Sequence, residues 1–485
     1  MLYRKKKYII AQNEMMIKDV EVLGSVVDSY YRTLSEQIGR NASEAADLIR
    51  SALNDKTAEL SGRIEALESR LSTMERSLED IRYFSEHGLL EAEAMKRKFA
   101  NYNPELALLS DAAKTKILIC GFYGGNNLGD ELMLETLLDY LTPAVDASIT
   151  VMLANNSEYN IFEKDGLHYI HYPQTKYDYD HLASFYDVVI FGGGALINDR
   201  DYGAVYGNEV SLSTTLVELS HKMIEYGKRC LWLSLSSNKE IKNKEFIERL
   251  RYVIPRLTYV SLRDSNSIGS LKGAGVDVSN VSLQHDLIVA NRILEDPPKK
   301  TSDILNVGLI LVCSHGDLDK KELMIIKAVD ERMRATGKEY RINLIPFYDY
   351  CKTDVTALSR LAAEAGSENV VVTPYVNRFR EITDIIADQD YVISMRYHGA
   401  LLSLMLNKPL FSIVLDTHPH YRNKMSYLCE KYDTVKNTAD ISELGEEKLQ
   451  EALDILFGEK PDNDNARFVS EARENLERII EEYLK

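Results

Sequence analysis

The sequence predicts an α/β protein with two parallel-sheet domains of similar size, preceded by a helical coiled-coil region. Short, almost continuously apolar runs, such as 116–120 and 187–191, are followed by amphipathic helical segments. Apolar runs of this kind are typical of strands in sheets that are buried on both faces. The polar segment 291–303, with two adjacent prolines, separates two series of such units and is the predicted linker. The predicted boundaries are 1–100 for the helical region, 114–290 and 304–460 for the two domains, and 466–485 for a C-terminal helix.

The composition and net charge of the chain argue against several classes of protein. The formal net charge of −17 and the pI near 5.2 argue against a general nucleic-acid binder. The five cysteines are scattered without a CxxC pair, so the sequence predicts neither a zinc site nor a disulfide framework, and a reducing cytoplasm fits best. No apolar run reaches the ~18 residues of a membrane span. The basic residues 4–7 leave open a weak peripheral contact with anionic lipid at the inner face of the plasma membrane.

The N-terminal region carries a heptad pattern of apolar residues. Its members are Leu53, Leu60, Ile64, Leu67, Leu71, Met74, Leu78 and Ile81. With Ile64, Leu71 and Leu78 at a positions, arginines fall at g and glutamates at e, the pairing of a parallel coiled coil. We expect a homo-oligomer through this region; an intramolecular hairpin with the weaker apolar pattern at 20–38 is the alternative.

The first α/β domain opens with a strand at 116–120 that enters a glycine-rich loop, 121–131, and then a helix. Glycines let a backbone approach a ligand, and a helix start supplies free N–H groups. Gly124, Asn127 and Asp130 are therefore candidate site residues. The loop matches neither a dinucleotide fingerprint nor a Walker lysine loop, so a simple tight turn is the alternative.

Further strands are predicted at 148–153, 187–191, 230–235 and 258–261. Three glycines follow the strand 187–191, and they indicate that a ligand or a neighbouring helix lies against the backbone at Gly193 and Gly194. Arg263 and Asp264 stand at the end of the strand 258–261, and Asp286 ends the next strand. We expect Arg263 and Asp286 to belong to a binding site.

The second domain has predicted strands at 307–312, 341–345, 370–372, 391–393 and 410–414, with helices at 320–336, 353–364 and 379–387. Arg396 and His398 stand where the strand 391–393 passes into an apolar helix. Strand carboxyl ends and helix amino ends collect anionic ligands in open α/β sheets, and a guanidinium and an imidazole favour negative charge. The alternative is that Arg396 pairs with a core carboxylate and His398 caps the helix.

Four segments in order resemble the motifs of the polysaccharide pyruvyl transferases. They are 121–131 (GFYGGNNLGDE), 188–199 (VVIFGGGALIND), 261–277 (SLRDSNSIGSLKGAGVD) and 393–413 (ISMRYHGALLSLMLNKPLFSI). The resemblance covers about 116–424. It implies a GT-B-like pair of Rossmann-like domains. It also implies transfer of pyruvate from phosphoenolpyruvate to a sugar of a cell-surface polysaccharide, or exopolysaccharide, or its precursor.

That chemistry gives the candidate residues roles. Phosphoenolpyruvate carries a phosphate and a carboxylate, and the guanidinium groups of Arg263 and Arg396 suit both anions. His398 is the candidate general acid that protonates the enol carbon. Asp130 is the first choice of base for the sugar hydroxyl, with Asp286 and Asp264 as rivals. No redox cofactor and no metal site are expected, and the partners are phosphoenolpyruvate and a glycan acceptor.

The chain departs from the family pattern after His398. Family members often have a lysine about 20 residues beyond the histidine, where this chain reads Leu415-Asp416-Thr417-His418. His418, Arg422 or Lys424 supplies the cation under this interpretation, and the choice among them is open.

Two other functions fit parts of the sequence. A GT-B glycosyltransferase with a nucleotide-sugar donor would need a carboxylate for the ribose after His398, and Glu430 is the nearest. A non-catalytic coiled-coil scaffold would not need Arg263, Arg396 and His398, all of which are present.

Overall fold

In the computed structural model, the described residues are 114–153, 167–173, 176–206, 209–237, 240–312, 317–349, 354–415, 424–434, 437–458 and 465–485, with short stretches at 14, 18–19, 21–29 and 56. The chain divides into two compact units, Met1–Asp111 and Ala112–Lys485. The predicted coiled coil and the basic residues 4–7 lie outside the described residues. The homo-oligomer and the membrane contact therefore stay predictions.

The first domain is built on a seven-stranded, wholly parallel sheet with strand order β3-β2-β1-β4-β7-β8-β9. Its strands are β1 (Thr115–Cys120), β2 (Ala147–Leu153), β3 (Leu167–His171), β4 (Val188–Ile197), β7 (Arg229–Ser237), β8 (Tyr259–Leu262) and β9 (Val281–Leu283). A two-stranded antiparallel pair, β5 (Val205–Tyr206) and β6 (Glu209–Val210), lies outside this sheet. The helices are α1 (Leu128–Ala144), α2 (Lys176–Phe185), α3 (Leu212–Glu225), α4 (Lys244–Val253) and α5 (Ser265–Gly273).

The second domain has a six-stranded parallel sheet with strand order β12-β11-β10-β13-β14-β15. Its strands are β10 (Leu305–Ile310), β11 (Tyr340–Leu344), β12 (Val370–Val372), β13 (Tyr391–Ser394), β14 (Leu410–Val414) and β15 (Thr438–Asp440). The helices are α6 (Asp317–Ala335), α7 (Asp354–Ala365), α8 (Phe379–Ala387), α9 (Tyr397–Met405), α10 (Lys424–Lys431) and α11 (Glu446–Gly458), followed by α12 (Ala466–Tyr483). The two parallel sheets confirm the predicted pair of α/β domains.

The main difference from the predicted strands is at β4. The sequence predicts a strand that ends at Phe191, but β4 continues through Gly192–Gly194 to Ile197. The neighbouring strand β7 is equally long, and Gly192 and Gly194 pair with Leu233 and Leu235 before the register shifts. Pairing with β7 therefore extends the strand across glycines that by themselves favour a turn. The short edge strands β3 and β15 were not predicted.

A continuous apolar core joins the two sheets. It contains Leu128 and Leu132 from α1 together with Ile310, Phe347 and Ala400 of the second domain. Hydrogen bonds cross at the same place: Leu128 N donates to the Phe347 carbonyl at 3.0 Å, and Asp349 N donates to the Asn126 carbonyl at 3.0 Å. The glycine-rich loop is thus fixed to the second domain through its backbone.

The predicted C-terminal helix is present as α12, and it packs on the first domain. Its buried residues are Val469, Ala472, Leu476, Ile479 and Ile480. Arg473 Nε donates to the Tyr140 hydroxyl of α1 at 3.2 Å, and Arg229 of β7 donates to the Tyr483 carbonyl at 2.8 Å. The end of the chain therefore belongs to the first domain.

Shortening of a side chain in the apolar face of α12 should destabilise the protein. Leu476 is 3% exposed within the core, so Leu476→Ala should lower the free energy of unfolding by about 2–4 kcal/mol through lost contacts and a cavity. Glu481→Ala, at an exposed position of the same helix, is the matched control and should change it by less than about 0.5 kcal/mol. Equal denaturation curves for both variants would contradict this packing.

Candidate functional site

The candidate site lies where the strand order of each sheet reverses. In the first sheet the reversal is between β1 and β4, which lead into the glycine-rich loop and carry the three glycines. In the second it is between β10 and β13, and β13 leads into Arg396 and His398. Open α/β sheets bind ligands at such points, outside the carboxyl ends of the strands.

Arg263 is held in a buried ion pair at the end of β8. Its side chain is 2% exposed, and Nη1 donates to Asp286 Oδ2 at 2.5 Å. Nη2 donates to Ser236 Oγ at 3.2 Å, and the guanidinium lies 4.5 Å from the centre of the Tyr397 ring. Arg263 Nε is buried with no hydrogen-bond partner among the described residues. A buried donor of this kind is costly unless a ligand satisfies it.

His398 of the second domain reaches this ion pair in the first domain. Its Nε2 lies 3.4 Å from Arg263 Nη1 and 3.6 Å from Asp286 Oδ2, and the side chain is 14% exposed. The other edge of the ring rests on the start of α1, where a Cβ on Gly129 would clash with Nδ1. Because Gly129 has no side chain, the imidazole of His398 has room to lie against α1.

The two acidic residues near His398 are in different electrostatic environments. Burial opposes ionisation of Asp286, but Arg263 and His398 hold the pKa of this carboxyl well below its usual range. Burial raises the pKa of Asp130 to about 6, although His398, Lys424 and Arg263 act in the opposite direction. Asp286 is thus ionised at any pH of interest, whereas Asp130 titrates near neutrality.

We refer to Arg263, Asp286, His398 and Asp130 as the histidine–arginine cluster. It brings together four of the residues singled out in the sequence, from both domains.

The other first-domain candidates shape the backbone around this cluster. Gly124 adopts a positive φ of 80° and its N–H donates to Glu131 Oε1 at 2.8 Å. Burial raises the pKa of that Glu131 carboxyl to about 8. Asn127 forms a β-bridge with Tyr348 of the second domain. These contacts connect the loop to its surroundings through main-chain groups.

The surroundings of Gly193 and Gly194 show which of the two expected neighbours, a ligand or a helix, lies against the three glycines. Both have a positive φ, 79° and 87°. A Cβ at Gly193 would clash with Met133 of α1, and one at Gly194 would lie 3.1 Å from Asp130 Oδ1. A neighbouring helix lies against the glycines, and it brings Asp130 to the end of β4.

Arg396 is paired with a buried carboxylate, as the alternative interpretation of the sequence expected. Its Nη2 donates to both oxygens of Asp354, at 2.6 and 2.8 Å, and its Nε donates to the Leu311 carbonyl at 3.1 Å. Asp354 also accepts from the backbone N–H groups of Phe347 and Tyr348. The hydrogen bonds of Arg396 lead to Asp354 and Leu311, whereas those of Arg263 lead to Asp286 and Ser236, so the two arginines occupy separate clusters.

Glu322 lies beside Arg396 and was not singled out in the sequence. Its side chain is fully buried on α6, and neither carboxyl oxygen has a hydrogen-bond partner among the described residues. Burial, with Asp319 nearby, raises the pKa of this carboxyl to about 9 in spite of Arg396. Glu322 is therefore neutral at pH 7.

The region after β14 is only partly described. His418 lies outside the described residues. Lys424 begins α10 and acts electrostatically on Asp130. Lys431, at the end of the same helix, donates to the Gln284 carbonyl at 3.3 Å, and burial lowers its pKa to about 8 although Asp286 and Asp264 raise it. A lysine in the last turn of a helix is common, so the sequence alone gave no sign of this position.

Within the described part of the chain, no group of three His, Cys, Asp or Glu side chains is arranged to hold a metal ion. In the same part, no helix has the length and apolar character needed to cross a membrane.

The fold and the cluster define a two-domain α/β protein with a polar site at the domain boundary. The family model for polysaccharide pyruvyl transferase matches residues 127–417, and the chain belongs to this family. The match confirms the resemblance seen in the four sequence segments. No curated protein matches the sequence at a significant level.

The chain is similar, at low sequence identity, to several solved structures. UDP-GlcNAc 2-epimerase from Methanocaldococcus jannaschii has a TM-score of 0.49 at 11% identity, over 76% of this chain and 99% of that one. Anabaena HepE in complex with UDP and glucose has a TM-score of 0.48 at 13% identity, over 75% and 95%. These TM-scores are below 0.5, so the description of the fold rests on the strand orders given above.

A side chain at position 129 should displace His398. Gly129→Ala places a methyl group where the imidazole lies, so a crystal structure of this variant should have Nε2 well beyond 3.6 Å from Asp286 Oδ2. Gly458→Ala on α11, where a Cβ meets no atom within 4 Å, is the control and should leave the ring in place. An unmoved imidazole in Gly129→Ala would contradict the contact between His398 and α1.

Proposed function

We propose that this protein transfers pyruvate from phosphoenolpyruvate to hydroxyl groups of a sugar in a cell-surface polysaccharide or its precursor. Membership of the polysaccharide pyruvyl transferase family supports the reaction class. The observation that carries the proposal for the site is the approach of His398, from the second domain, to the buried Arg263–Asp286 pair of the first. An acid and a cation meet there at the domain boundary, a preferred place for ligands.

The proposed reaction needs no redox step. A proton adds to C3 of the enol, and C2 becomes an electrophilic carbon. One sugar hydroxyl adds to C2 and loses its proton. A second hydroxyl then displaces the phosphate, which leaves as inorganic phosphate, and the product is a pyruvate ketal. The protein must therefore hold two anionic groups, deliver one proton to carbon and accept protons from the acceptor.

We assign binding of the donor to Arg263 of the cluster and to the cations around it. Arg263 has its Nε free for an anionic oxygen, and a charge-assisted hydrogen bond would satisfy this buried donor. Lys424 adds positive charge near Asp130. Arg396 is bound to Asp354 through Nη2. It therefore contributes to donor binding through Nη1 or through the electrostatic field of the Arg396–Asp354 pair.

His398 is the proposed acid and Asp130 the proposed base. Asp286 is ionised 3.6 Å from Nε2 of His398 and orients the ring, as a carboxylate does in a histidine–aspartate pair. Asp130 at a pKa of about 6 is largely ionised at neutral pH yet basic enough to accept a proton. Asp286, with its low pKa and its ion pair with Arg263, is the weaker base.

The assay for this function follows phosphate release and ketal formation from phosphoenolpyruvate with a panel of glycans. His398→Gln should lower kcat/KM by about 10²–10⁴-fold, the usual contribution of a general acid. His168→Gln, an exposed histidine on β3, is the matched control and should be as active as the parent. The proposal fails if the parent releases no phosphate with any glycan, and the assignment of His398 fails if both variants are equally active.

The pH profile should report the ionisation of Asp130. The base must be deprotonated, so kcat/KM should fall as the pH drops through about 6. Lys424 stabilises the charged carboxylate, and its loss in Lys424→Ala should raise the pKa of Asp130 and shift this acid limb to higher pH. Lys448→Ala, on the exposed surface of α11, should leave the limb unchanged. An identical limb in all three proteins would exclude Asp130 as the group that titrates.

A further inference from the structure

Glu131 is a buried acid in the first turn of α1 that the proposed reaction does not use. It directly follows Asp130 and is 2% exposed. Its Oε1 accepts a hydrogen bond from Gly124 N at 2.8 Å, whereas Oε2 is buried with no hydrogen-bond partner among the described residues. An unpaired carboxyl oxygen in a protein interior is unfavourable, above all when it carries a charge. The position next to the proposed base therefore holds a second acid whose ionised form is poorly accommodated.

The hydrogen bond between Glu131 and Gly124 ties the glycine-rich loop to the helix that follows it. Within this loop Gly124 and Asn126 have positive φ values of 80° and 47°, and the second value is uncommon for a residue with a side chain. The Asn126 carbonyl accepts from Asp349 N of the second domain at 3.0 Å. Glu131 thus fixes one part of a loop whose next part is bonded to the second domain.

Titratable groups from both domains surround the carboxyl group of Glu131. In the first domain they are Asp130 and Tyr123, and in the second domain they are Arg378 and Tyr375. The Tyr375 hydroxyl is itself buried with no hydrogen-bond partner among the described residues. A water molecule between this hydroxyl and Glu131 Oε2 would give a hydrogen bond to each of them.

These surroundings favour the uncharged form of Glu131. Burial is the largest cause and raises the pKa of its carboxyl group to about 8, and the charge of Asp130 acts in the same direction. The N–H groups of Gly124 and Asn126 and the charge of Arg378 favour the carboxylate, but they do not offset burial. At pH 7 the two consecutive acids therefore differ, because Asp130 is largely ionised and Glu131 is largely neutral.

The charge of Glu131 matters because the proposed donor is an anion. Phosphoenolpyruvate brings a phosphate and a carboxylate to a site that already contains the carboxylate of Asp130. A second carboxylate beside Asp130 would repel the donor in a buried place where water screens charges poorly. The neutral side chain of Glu131 accepts the same hydrogen bond from Gly124 without this repulsion.

We infer that Glu131 is a positioning residue, which fixes the glycine-rich loop through Gly124 and does so as an uncharged group that adds no negative charge beside Asp130. Its effect on activity rests on the proposed pyruvyl transfer, whereas its charge state can be measured without any substrate. Ionisation of Glu131 then limits the activity on the alkaline side.

The first experiment follows the charge state of Glu131 through thermal stability. Its carboxyl group has a pKa of about 8 in the folded protein against an ordinary value of 4.5, so the folded protein keeps a proton that the unfolded chain has lost. Stability is therefore lost as the pH rises from about 4.5 to about 8. Glu131→Gln has the same shape and cannot ionise. Its melting temperature should rise relative to that of the parent across this range, and the difference should stay constant at higher pH.

Glu447→Gln, at an exposed position of α11, is the matched control. Its melting temperature should differ from that of the parent by the same amount at every pH.

The second experiment measures kcat/KM for phosphoenolpyruvate as a function of pH. At pH 7, Glu131→Gln should stay within about threefold of the parent, because glutamine keeps an acceptor for Gly124 N, whereas Glu131→Ala should lose roughly tenfold or more. Division of the parent value by the Glu131→Gln value removes the titration of Asp130 and His398, which both proteins share. This ratio should be constant up to about pH 7 and fall through about pH 8.

The inference is overturned if the melting temperatures of Glu131→Gln and the parent differ by the same amount at every pH, or if the ratio of kcat/KM does not change with pH. It is also overturned if Glu131→Ala is as active as Glu131→Gln at pH 7. A parent protein that shows the expected melting temperatures but never consumes phosphoenolpyruvate refutes the proposed reaction and supports the uncharged state of Glu131.

Discussion

The buried ion pair between Arg263 and Asp286 is the interaction on which the site depends. Two charges that are almost fully removed from water are costly unless each satisfies the other. Loss of either partner would leave an uncompensated charge in the core of the first domain. The pair also forms part of the environment of His398, because Nε2 of this imidazole from the second domain lies 3.4 Å from Arg263 Nη1 and 3.6 Å from Asp286 Oδ2. Charged groups of the first domain therefore set the electrostatic environment of a histidine that belongs to the second domain.

Much of the architecture follows from the order of apolar runs in the sequence. Strands buried on both faces read as continuous Val, Ile and Leu segments, and short turns with Gly and Pro separate them from helices. This is why the parallel sheets were predictable. The continuation of β4 through Gly192–Gly194 was not, because the long neighbouring strand β7 overrides the local preference of glycine for a turn. Pairing with a strand that is distant in the sequence cannot be read from the residues of β4 alone.

The candidate site was predictable as a place but only partly as a set of contacts. Arg263 directly follows β8, Asp286 comes three residues after β9 and His398 lies in the first turn of α9 after β13, and parallel sheets collect such positions on one edge. The partner of Arg396 could not be read in the same way. Asp354 lies at the start of α7, where an acidic residue is ordinary in any helix. Only the fold brings it to Arg396, and only burial makes Glu322 neutral beside them.

The return of α12 to the first domain changes the mechanics of the molecule. The chain enters the second domain once after the first sheet and leaves it once before α12. The two domains are thus linked covalently at two places along the chain, so that a relative movement of the domains has to bend both connections. Any such movement would also expose to water the apolar core that α1 shares with the second domain, which opposes it.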